Sequence, residues 1–209
     1  MKITKFEQSG FIIENKNGYK LAIDIAAYTP AEKLEGINVD AMIVSHIHGD
    51  HFNVEQIKKL SPKKLYLNHE CIEVLGEEEL SSEIIQIKTG DIVDVDGITV
   101  ECFDVDHGPN VTVRPLENFG FLINVDGEKV YFSGDMFYSS GLDVSNLEVD
   151  YALIPVGGYY TFGPQEAFDH VKKFKNIKNV VPMHYEKTNN TKDEFISLAS
   201  GENFKVLSI

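Results

Sequence analysis

The pattern of apolar and polar positions predicts that the chain begins with three strands. Residues 3–8, 10–14 and 19–24 have the composition that is typical of strands. The segment Lys16-Asn17-Gly18 separates the second strand from the third and is typical of a turn. We therefore expect a meander of three strands at the start of a sheet.

A different pattern follows, in which strands alternate with helices. Residues 41–45 form a short, largely apolar run, which favours a strand buried on both faces. Asn53 can cap a helix that continues to residue 60, before a strand at residues 64–67. The rest of the chain predicts strands within 84–125 with a turn at Asp96-Gly97, a hairpin turn at Asp126-Gly127, strands at 130–133, 151–156, 180–183 and 205–208, and helices at 164–174 and 192–199.

Both halves of the chain thus place strands first and alternate strands with helices afterwards. Two mixed sheets that face each other, each covered outside by helices, would satisfy this plan. We expect an α/β fold, a four-layer αββα sandwich, formed by residues 1–209 as one domain. Polar residues follow three of the predicted strands, at His46, Asp135 and His184, so active groups should collect along one edge.

Composition and charge narrow the classes of function. Hydrophobic residues make up 43% of the chain and charged residues 25%, which allows a sizeable core. The net charge of -14 and the absence of a dense Lys/Arg run argue against a nucleic acid partner. The sequence has neither the apolar run of about 7 to 15 residues of a secretory signal nor the roughly 18 apolar residues of a membrane span. We expect a cytoplasmic protein with no membrane partner.

The central motif is His46-Ile47-His48-Gly49-Asp50-His51. His46 and His48 are two residues apart, so in an extended chain their side chains point the same way and can hold one ion. Gly49 permits a sharp turn, after which Asp50 and His51 can face a second ion. The motif therefore predicts two neighbouring metal sites.

Three isolated residues can complete these sites: His107, Asp135 and His184. Neutral imidazoles suit Zn, Fe, Mn or Ni, and a carboxylate such as that of Asp135 can bridge two cations. Two divalent ions outweigh the charges of Asp50, Asp135 and a bound hydroxide. The resulting positive site would favour an anionic substrate or transition state.

This arrangement of ligands resembles that of the metallo-β-lactamase superfamily over essentially the full chain. The resemblance implies that His46, His48 and His107 bind the first ion, that Asp50, His51 and His184 bind the second, and that Asp135 binds both. Zinc is the first candidate metal, followed by manganese, iron and nickel. Three finer motifs are similar to the ascorbate-6-phosphate lactonase (UlaG-like) branch: Ser133-Gly134-Asp135, Pro155-Val156-Gly157-Gly158 and Pro182-Met183-His184-Tyr185.

Departures from the pattern of the superfamily limit what the resemblance implies. The spacing between ligands leaves no room for the inserted domain of the RNA-cleaving branch or for a tRNA-clamping arm. Diiron oxidoreductases of the superfamily commonly carry Glu at the position of His48. Hydrolysis of a lactone or phosphodiester by a metal-held hydroxide is the reaction we expect. An iron-loaded redox enzyme and a non-catalytic metal-stabilised module remain the alternatives.

Several other residues are candidates for the site. Asp50 and His184 should take part in the chemistry as well as bind metal, with Asp50 able to receive the nucleophile's proton. Arg114, the single arginine, could clamp a substrate anion or form a surface ion pair. Asp24 could orient a ligand histidine or occupy a simple turn. Three residues after a Gly-Gly turn could line a pocket or form an exposed tip: Tyr159, Tyr160 and Thr161.

The remaining histidines and the cysteines have structural interpretations. We expect His69 and His170 to be solvated and outside the site, since both lie in predicted polar helices. Cys71 and Cys102 lack a CxxC partner motif and should be reduced core residues.

The branch resemblance also suggests a homo-oligomer that acts on a small molecule.

Overall fold

The computed structural model describes residues 1–108, 110–138, 140–188 and 190–209, and its first half forms a six-stranded sheet. Strands β1 to β3 pair antiparallel, and β3 to β6 pair parallel, so the sheet is mixed as predicted. The strands follow one another in chain order: β1 Lys2–Lys5, β2 Phe11–Glu14, β3 Lys20–Ile23, β4 Ala41–Ile43, β5 Lys64–Leu67 and β6 Glu83–Gln86.

The second half forms a seven-stranded sheet that is also mixed. Strands β7 to β10 pair antiparallel, and β10 to β13 pair parallel, again in chain order. The predicted turns at Asp96-Gly97 and Asp126-Gly127 join β7 to β8 and β9 to β10. The strands are β7 Ile92–Val95, β8 Ile98–Asp104, β9 Phe119–Val125, β10 Glu128–Phe132, β11 Glu148–Pro155, β12 Asn176–Met183 and β13 Lys205–Val206.

Among the described residues, four helices cover the outer faces of the two sheets: α1 Val54–Leu60, α2 His69–Leu75, α3 Pro164–Val171 and α4 Thr191–Leu198. One apolar cluster draws side chains from both sheets and lies between them. A second packs α1 and α2 on the first sheet, and a third packs α3 and α4 on the second sheet. The predicted αββα sandwich is confirmed. Two short 3₁₀ helices, Ala31–Leu34 and Val144–Asn146, complete the regular structure.

Helix starts agree with the capping signals in the sequence. The Asn53 side chain accepts the N–H of Gln56 at 3.0 Å and caps α1, as predicted. Asn68 accepts the N–H of Cys71 at 2.8 Å and caps α2 in the same way. Both side chains satisfy N–H groups that have no partner inside the helix.

The predicted first strand is too long at its end. β1 ends at Lys5, and the chain then turns, with the Phe6 N–H donating to the Gly10 carbonyl at 2.7 Å. Gln8 lies at the tip of this turn with φ of 53° and is buried. The helix at 164–174 was also predicted too long, since α3 ends at Val171.

The prediction that His170 is solvated is wrong. His170 is only 6% exposed and lies on the face of α3 that packs against the second sheet. Tyr131 Oη lies 3.3 Å from His170 Nε2, and the rings of Phe162 and Phe174 enclose the imidazole. A histidine on the packed face of a helix is buried even when its sequence neighbours are charged. His69, in contrast, is exposed as expected, with 61% of its side chain accessible.

Strand directions bring the predicted polar residues to one edge. β8, β10 and β12 all run in the same direction, so the segments after them begin at the same edge of the second sheet. The Phe119 N–H donates to the Ser45 carbonyl at 3.2 Å and ties this edge to the segment after β4 in the first sheet. Over the ranges that the structure describes, no helix is both long and apolar enough to cross a membrane.

Candidate metal centre

The segment after β4 folds into a compact turn that presents three imidazoles to one side. The N–H groups of His51 and Phe52 both donate to the His48 carbonyl, at 2.9 and 2.8 Å. His46 Nε2 consequently lies 3.0 Å from His48 Nδ1, and the ring of His51 packs against that of His46 with centroids 4.0 Å apart. The turn at Gly49 thus brings the whole motif into one cluster.

The structure gathers all seven side chains that the sequence predicted as ligands. They form two groups, and within each group the ligand atoms lie within 4.8 Å of one another. The first group takes its third member from the loop after β8, and the second takes two members from the loops after β10 and β12. The groups are His46, His48 and His107, and Asp50, His51, Asp135 and His184.

Asp135 lies between the two groups. Its Oδ2 is 3.1 Å from His184 Nε2 and 3.2 Å from His51 Nε2, both in its own group. The same oxygen is 3.6 Å from His107 Nε2 of the other group. A single carboxylate oxygen therefore faces imidazoles of both groups, as a bridging ligand must.

These residues fit divalent metal ions. Neither ring nitrogen of His107 has a hydrogen-bond partner among the described residues, although both are buried. A buried polar atom without a partner is costly, and an imidazole nitrogen aimed at a cation avoids that cost. Five imidazoles with two carboxylates form the mixed nitrogen and oxygen donor set that suits zinc, manganese, iron or nickel.

Hydrogen bonds outside the cluster fix the orientation of two of these rings. His51 Nδ1 donates to Asp24 Oδ2 at 2.7 Å, and His48 Nε2 donates to the Val113 carbonyl at 2.7 Å. Asp24 is itself held by the Ser45 N–H at 2.8 Å and the Ser45 hydroxyl at 2.5 Å. The opposite nitrogens, His51 Nε2 and His48 Nδ1, are left to face the cluster. Asp24 thus orients the ring of His51, which is one of the candidate ligands.

The electrostatics of the second group favour positive charge. Burial opposes the charged form of His51, but Asp135, Asp50 and Asp24 raise its pKa well above the usual value. Burial likewise opposes the charged form of His184, yet mainly Asp135 and Asp50 raise its pKa to about 10. Burial also raises the pKa of Asp50, but His51 and His184 outweigh it and hold that pKa low. The ionised carboxylates of Asp50 and Asp135 thus stabilise positive charge on the neighbouring imidazoles, and a metal ion bound there would replace the ring protons.

The first group has the opposite character. Burial, together with the neighbouring imidazoles, lowers the pKa of His46 well below the usual value. Burial also lowers the pKa of His107 to about 4, despite the attraction of Asp135. Both rings are consequently neutral at pH 7, which is the form that binds metal ions.

One residue of the site was missed in the sequence. The Gln8 carbonyl accepts the His184 N–H at 3.1 Å, and Gln8 Nε2 lies 3.4 Å from Asp50 Oδ2 and 3.3 Å from His184 Nε2. Its N–H donates to Glu186 Oε2 at 3.1 Å. The sequence does carry a signal for this turn, because the polar residues 7–9 directly before Gly10 are typical of a turn between two strands.

Two glycines allow the chain to approach the ligands closely. A Cβ atom on Gly157 would lie 2.0 Å from the His184 carbonyl oxygen, and one on Gly134 would lie 2.3 Å from the Phe119 carbonyl oxygen. Gly134 also has φ of +61° directly before Asp135. Only glycine fits at either place without displacing the backbone beside a predicted ligand.

A cavity of about 340 Å³ opens onto this edge. Predicted ligands form its floor, including Asp50 and Asp135, and the segment 111–113 forms one wall. Tyr160 lines the same cavity, as predicted for a pocket residue, and Tyr159 lines a neighbouring one. Thr161 was expected with them but is fully buried and lines neither cavity; its hydroxyl contacts the Phe162 carbonyl at 3.4 Å.

The structure favours the ion-pair interpretation of Arg114. Its Nη2 lies 2.5 Å from Asp106 Oδ1, and 67% of its side chain is exposed. Arg114 lines a separate depression that shares only His107 with the metal-edge cavity. Its guanidinium is already paired, and Arg114 does not line the cavity that Asp50 and His184 line.

The two cysteines are buried and unbonded, as expected for core residues. Cys71 lies on the buried face of α2, and Cys102 lies in the cluster between the sheets. Burial raises the pKa of the Cys102 thiol to about 12 and also raises the pKa of Cys71. Both are therefore uncharged thiols at pH 7.

Comparison with known proteins identifies the family. Residues 2–184 match the model of the β-lactamase superfamily domain. A UPF0173 metal-dependent hydrolase of Thermococcus kodakarensis is 30% identical over 193 residues, which span 88% of this chain and 84% of that protein. One of Thermoplasma acidophilum is 33% identical over 180 residues, 84% of this chain and 76% of that protein.

Solved structures agree in fold. Igni18, a metallo hydrolase from Ignicoccus hospitalis, superposes with a TM-score of 0.79 at 24% identity, covering 99% of this chain and 94% of that one. The sandwich fold and the histidines and aspartates at its edge are consistent with the family to which the matched relatives belong. The chain therefore belongs to the β-lactamase superfamily and, within it, to the UPF0173 metal-dependent hydrolases.

Proposed function

We propose that this enzyme is a binuclear hydrolase that cleaves an ester-like bond, in a lactone or a phosphodiester, of a small anionic molecule. The observation that carries the proposal is the pair of ligand groups that meet at Asp135 Oδ2. In this proposal His46, His48 and His107 hold one ion and Asp50, His51 and His184 hold the other. Asp135 would contact both ions, and zinc is the first candidate metal.

Two ions bound there would supply a water of lowered pKa and a positive charge for the oxyanion that develops during hydrolysis. The chain's own groups then have distinct tasks. The Asp50 side chain is 20% exposed and lies 3.2 Å from His184 Nε2, so its free oxygen can accept a proton from the nucleophile. The neighbouring imidazoles hold the pKa of Asp50 low, so its carboxylate is ionised at pH 7.

The size and lining of the site support a small-molecule substrate. A cavity of about 340 Å³ is at the small end of ligand pockets and admits a metabolite-sized molecule. The motifs around Asp135, Gly157 and His184 resemble those of the lactonase branch, which supports a lactone as the first candidate. Phosphodiesters fit the same chemistry, because in both cases negative charge develops on an oxygen beside the cations.

The test combines metal analysis with a substrate panel. Protein loaded with zinc, manganese or iron should contain two ions per chain and hydrolyse a lactone or a phosphodiester in a panel that also includes thioesters. Alanine at His48 or Asp135 should remove both metal loading and turnover. His69→Ala serves as the matched control, because His69 is exposed and lies outside both ligand groups.

Two outcomes would overturn the proposal. A metal-free variant with full hydrolytic activity would show that the cluster is not catalytic. An iron-loaded protein that consumes oxygen and hydrolyses no member of the panel would instead establish redox chemistry on this fold.

A further inference from the structure

A second cavity, of about 280 Å³, adjoins the cavity at the metal edge. The two cavities share Tyr28, Asp50, Tyr160 and His184. The second one extends away from the ligands toward Tyr159 and Lys187. A substrate whose reacting bond lies at Asp50 and His184 can therefore place a substituent in this adjoining space.

Lys187 is the only Lys or Arg among the described residues that line either cavity. Its Nζ lies 4.3 Å from the centroid of the Tyr28 ring, a cation–π contact that holds the ammonium at the cavity wall. Within the described ranges no carboxylate lies in ion-pairing distance of it, whereas other lysines, such as Lys172 and Lys178, are paired. The chain has a net charge of -14, so an ammonium at a cavity wall that is unpaired within the described part of the chain is a distinct positive site that can attract an anion.

Contacts within the chain hold the aromatic side of the cavity in place. Tyr159 has φ of 62°, a strained conformation for a residue that is not glycine. Asn110 holds it there by donating to the Tyr159 carbonyl at 2.6 Å, and the Tyr160 N–H donates to Gly158 at 2.7 Å. The rings of Tyr159 and Tyr160 meet edge to face at 4.7 Å. These contacts fix an aromatic wall between the ligand edge and Lys187.

We propose that this cavity is the specificity subsite for an anionic substituent of the substrate. Lys187 binds a carboxylate or phosphate group, and the rings of Tyr28, Tyr159 and Tyr160 pack against an apolar or aromatic spacer between that group and the scissile bond. The inference rests on the proposed hydrolase function, and it assigns the substrate's anionic group to a lysine instead of to the cations alone.

The test measures binding and turnover separately in metal-loaded protein. The binding probes are 3-phenylpropionate and its neutral amide, and the substrates are mono-4-nitrophenyl glutarate and the neutral 4-nitrophenyl butyrate. Wild-type protein should bind the carboxylate about tenfold more tightly than the amide, as expected for one charge-assisted contact. Lys187→Met should abolish this preference and raise the KM for the glutarate ester about tenfold, with the butyrate ester unchanged.

Two further variants sharpen the result. Lys187→Arg should retain the preference, because the positive charge remains. Lys192→Met is the matched control, since Lys192 also lies over a tyrosine ring, with its Nζ 5.1 Å from Tyr185, but lines neither cavity. It should leave both binding and turnover unchanged.

The subsite proposal is overturned if wild-type protein shows no preference for 3-phenylpropionate, or if Lys187→Met retains it. The second result would assign anion binding to the metal ions and leave the hydrolase proposal intact. If wild-type protein hydrolyses neither ester nor any member of the earlier panel, the hydrolase proposal fails, while the binding comparison still decides the role of Lys187.

Discussion

The carboxylate of Asp24 lies 2.7 Å from Nδ1 of His51, and both side chains are completely buried. Burial raises the pKa of Asp24, while His51 and Ser45 stabilise its ionised form. The contact keeps the ring proton on Nδ1, so that Nε2 faces Asp50 and Asp135. A carboxylate that orients a ligand histidine in this way also increases its basicity as a ligand.

We predict that Asp24→Asn weakens metal binding about 10- to 100-fold, the usual cost of losing such a partner. Asparagine suits the positive φ of 47° at this position, so the backbone should be preserved. Competition with a chromogenic chelator measures the affinity. Asp143→Asn, on an exposed turn, is the control, and an Asp24→Asn protein with wild-type affinity would contradict the orienting role.

Gln8 should matter for turnover because its amide contacts two predicted ligands of the same group. Gln8→Met keeps the length of the side chain but removes the hydrogen bond to the Asp50 carboxylate. A hydrogen bond to a charged group contributes roughly 1.5 to 3 kcal/mol of interaction free energy. We expect kcat to fall at least about tenfold, with KM for a neutral ester changed little. Steady-state kinetics at full metal loading provide the measurement, and an unchanged kcat would refute the prediction.

His170 should make the fold sensitive to acid. Burial, with a smaller contribution from Lys173, lowers its pKa from 6.5 to about 4. Between these values the unfolded chain binds a proton that the folded chain does not, so stability must fall as pH decreases. The loss begins near pH 6.5 and approaches roughly 3 kcal/mol by pH 4.

Replacing His170 with glutamine should remove this loss, because glutamine does not titrate and can still contact Tyr131 Oη. Urea unfolding of both proteins at several values of pH isolates the effect. The metal-edge histidines titrate in both proteins and cancel in the difference. Parallel curves of stability against pH would show that His170 does not contribute.

Gly157→Ala should disturb the site through its backbone. The added Cβ would meet the His184 carbonyl oxygen at 2.0 Å, so either β12 or the Gly157 turn must move. We expect a loss of about 1 to 3 kcal/mol in stability together with reduced metal loading. Gly36→Ala is the control, because it adds only backbone strain in open space at φ of +73°. Equal loading and stability in the two variants would contradict the prediction.

The grouping of the seven candidate ligands was predictable from their positions in the sequence. His46 to His51 form one local motif, and His107, Asp135 and His184 each follow a segment with a clear strand pattern, so topology alone brings them together. The sandwich was predictable because each half of the chain has the same plan, with strands first and alternating strands and helices afterwards.

Residues that act through tertiary packing were not predictable in this way. Gln8 reaches the site only because β1 ends early and the chain turns under β12. His170 is surrounded by charged sequence, and its burial depends on which face of α3 meets the sheet. Arg114 is paired with Asp106, eight residues before it, through a loop geometry that the sequence does not specify.

The division of ligands between the sheets has a consequence for assembly. Four of the seven candidate ligands follow a strand of the first sheet and three follow strands of the second: His46, His48, Asp50 and His51, and His107, Asp135 and His184. Neither candidate ligand group is therefore complete within one half of the chain. A metal ion bound at this edge would stabilise only conformations in which the two sheets have already packed together. Metal binding would then be a late step in folding.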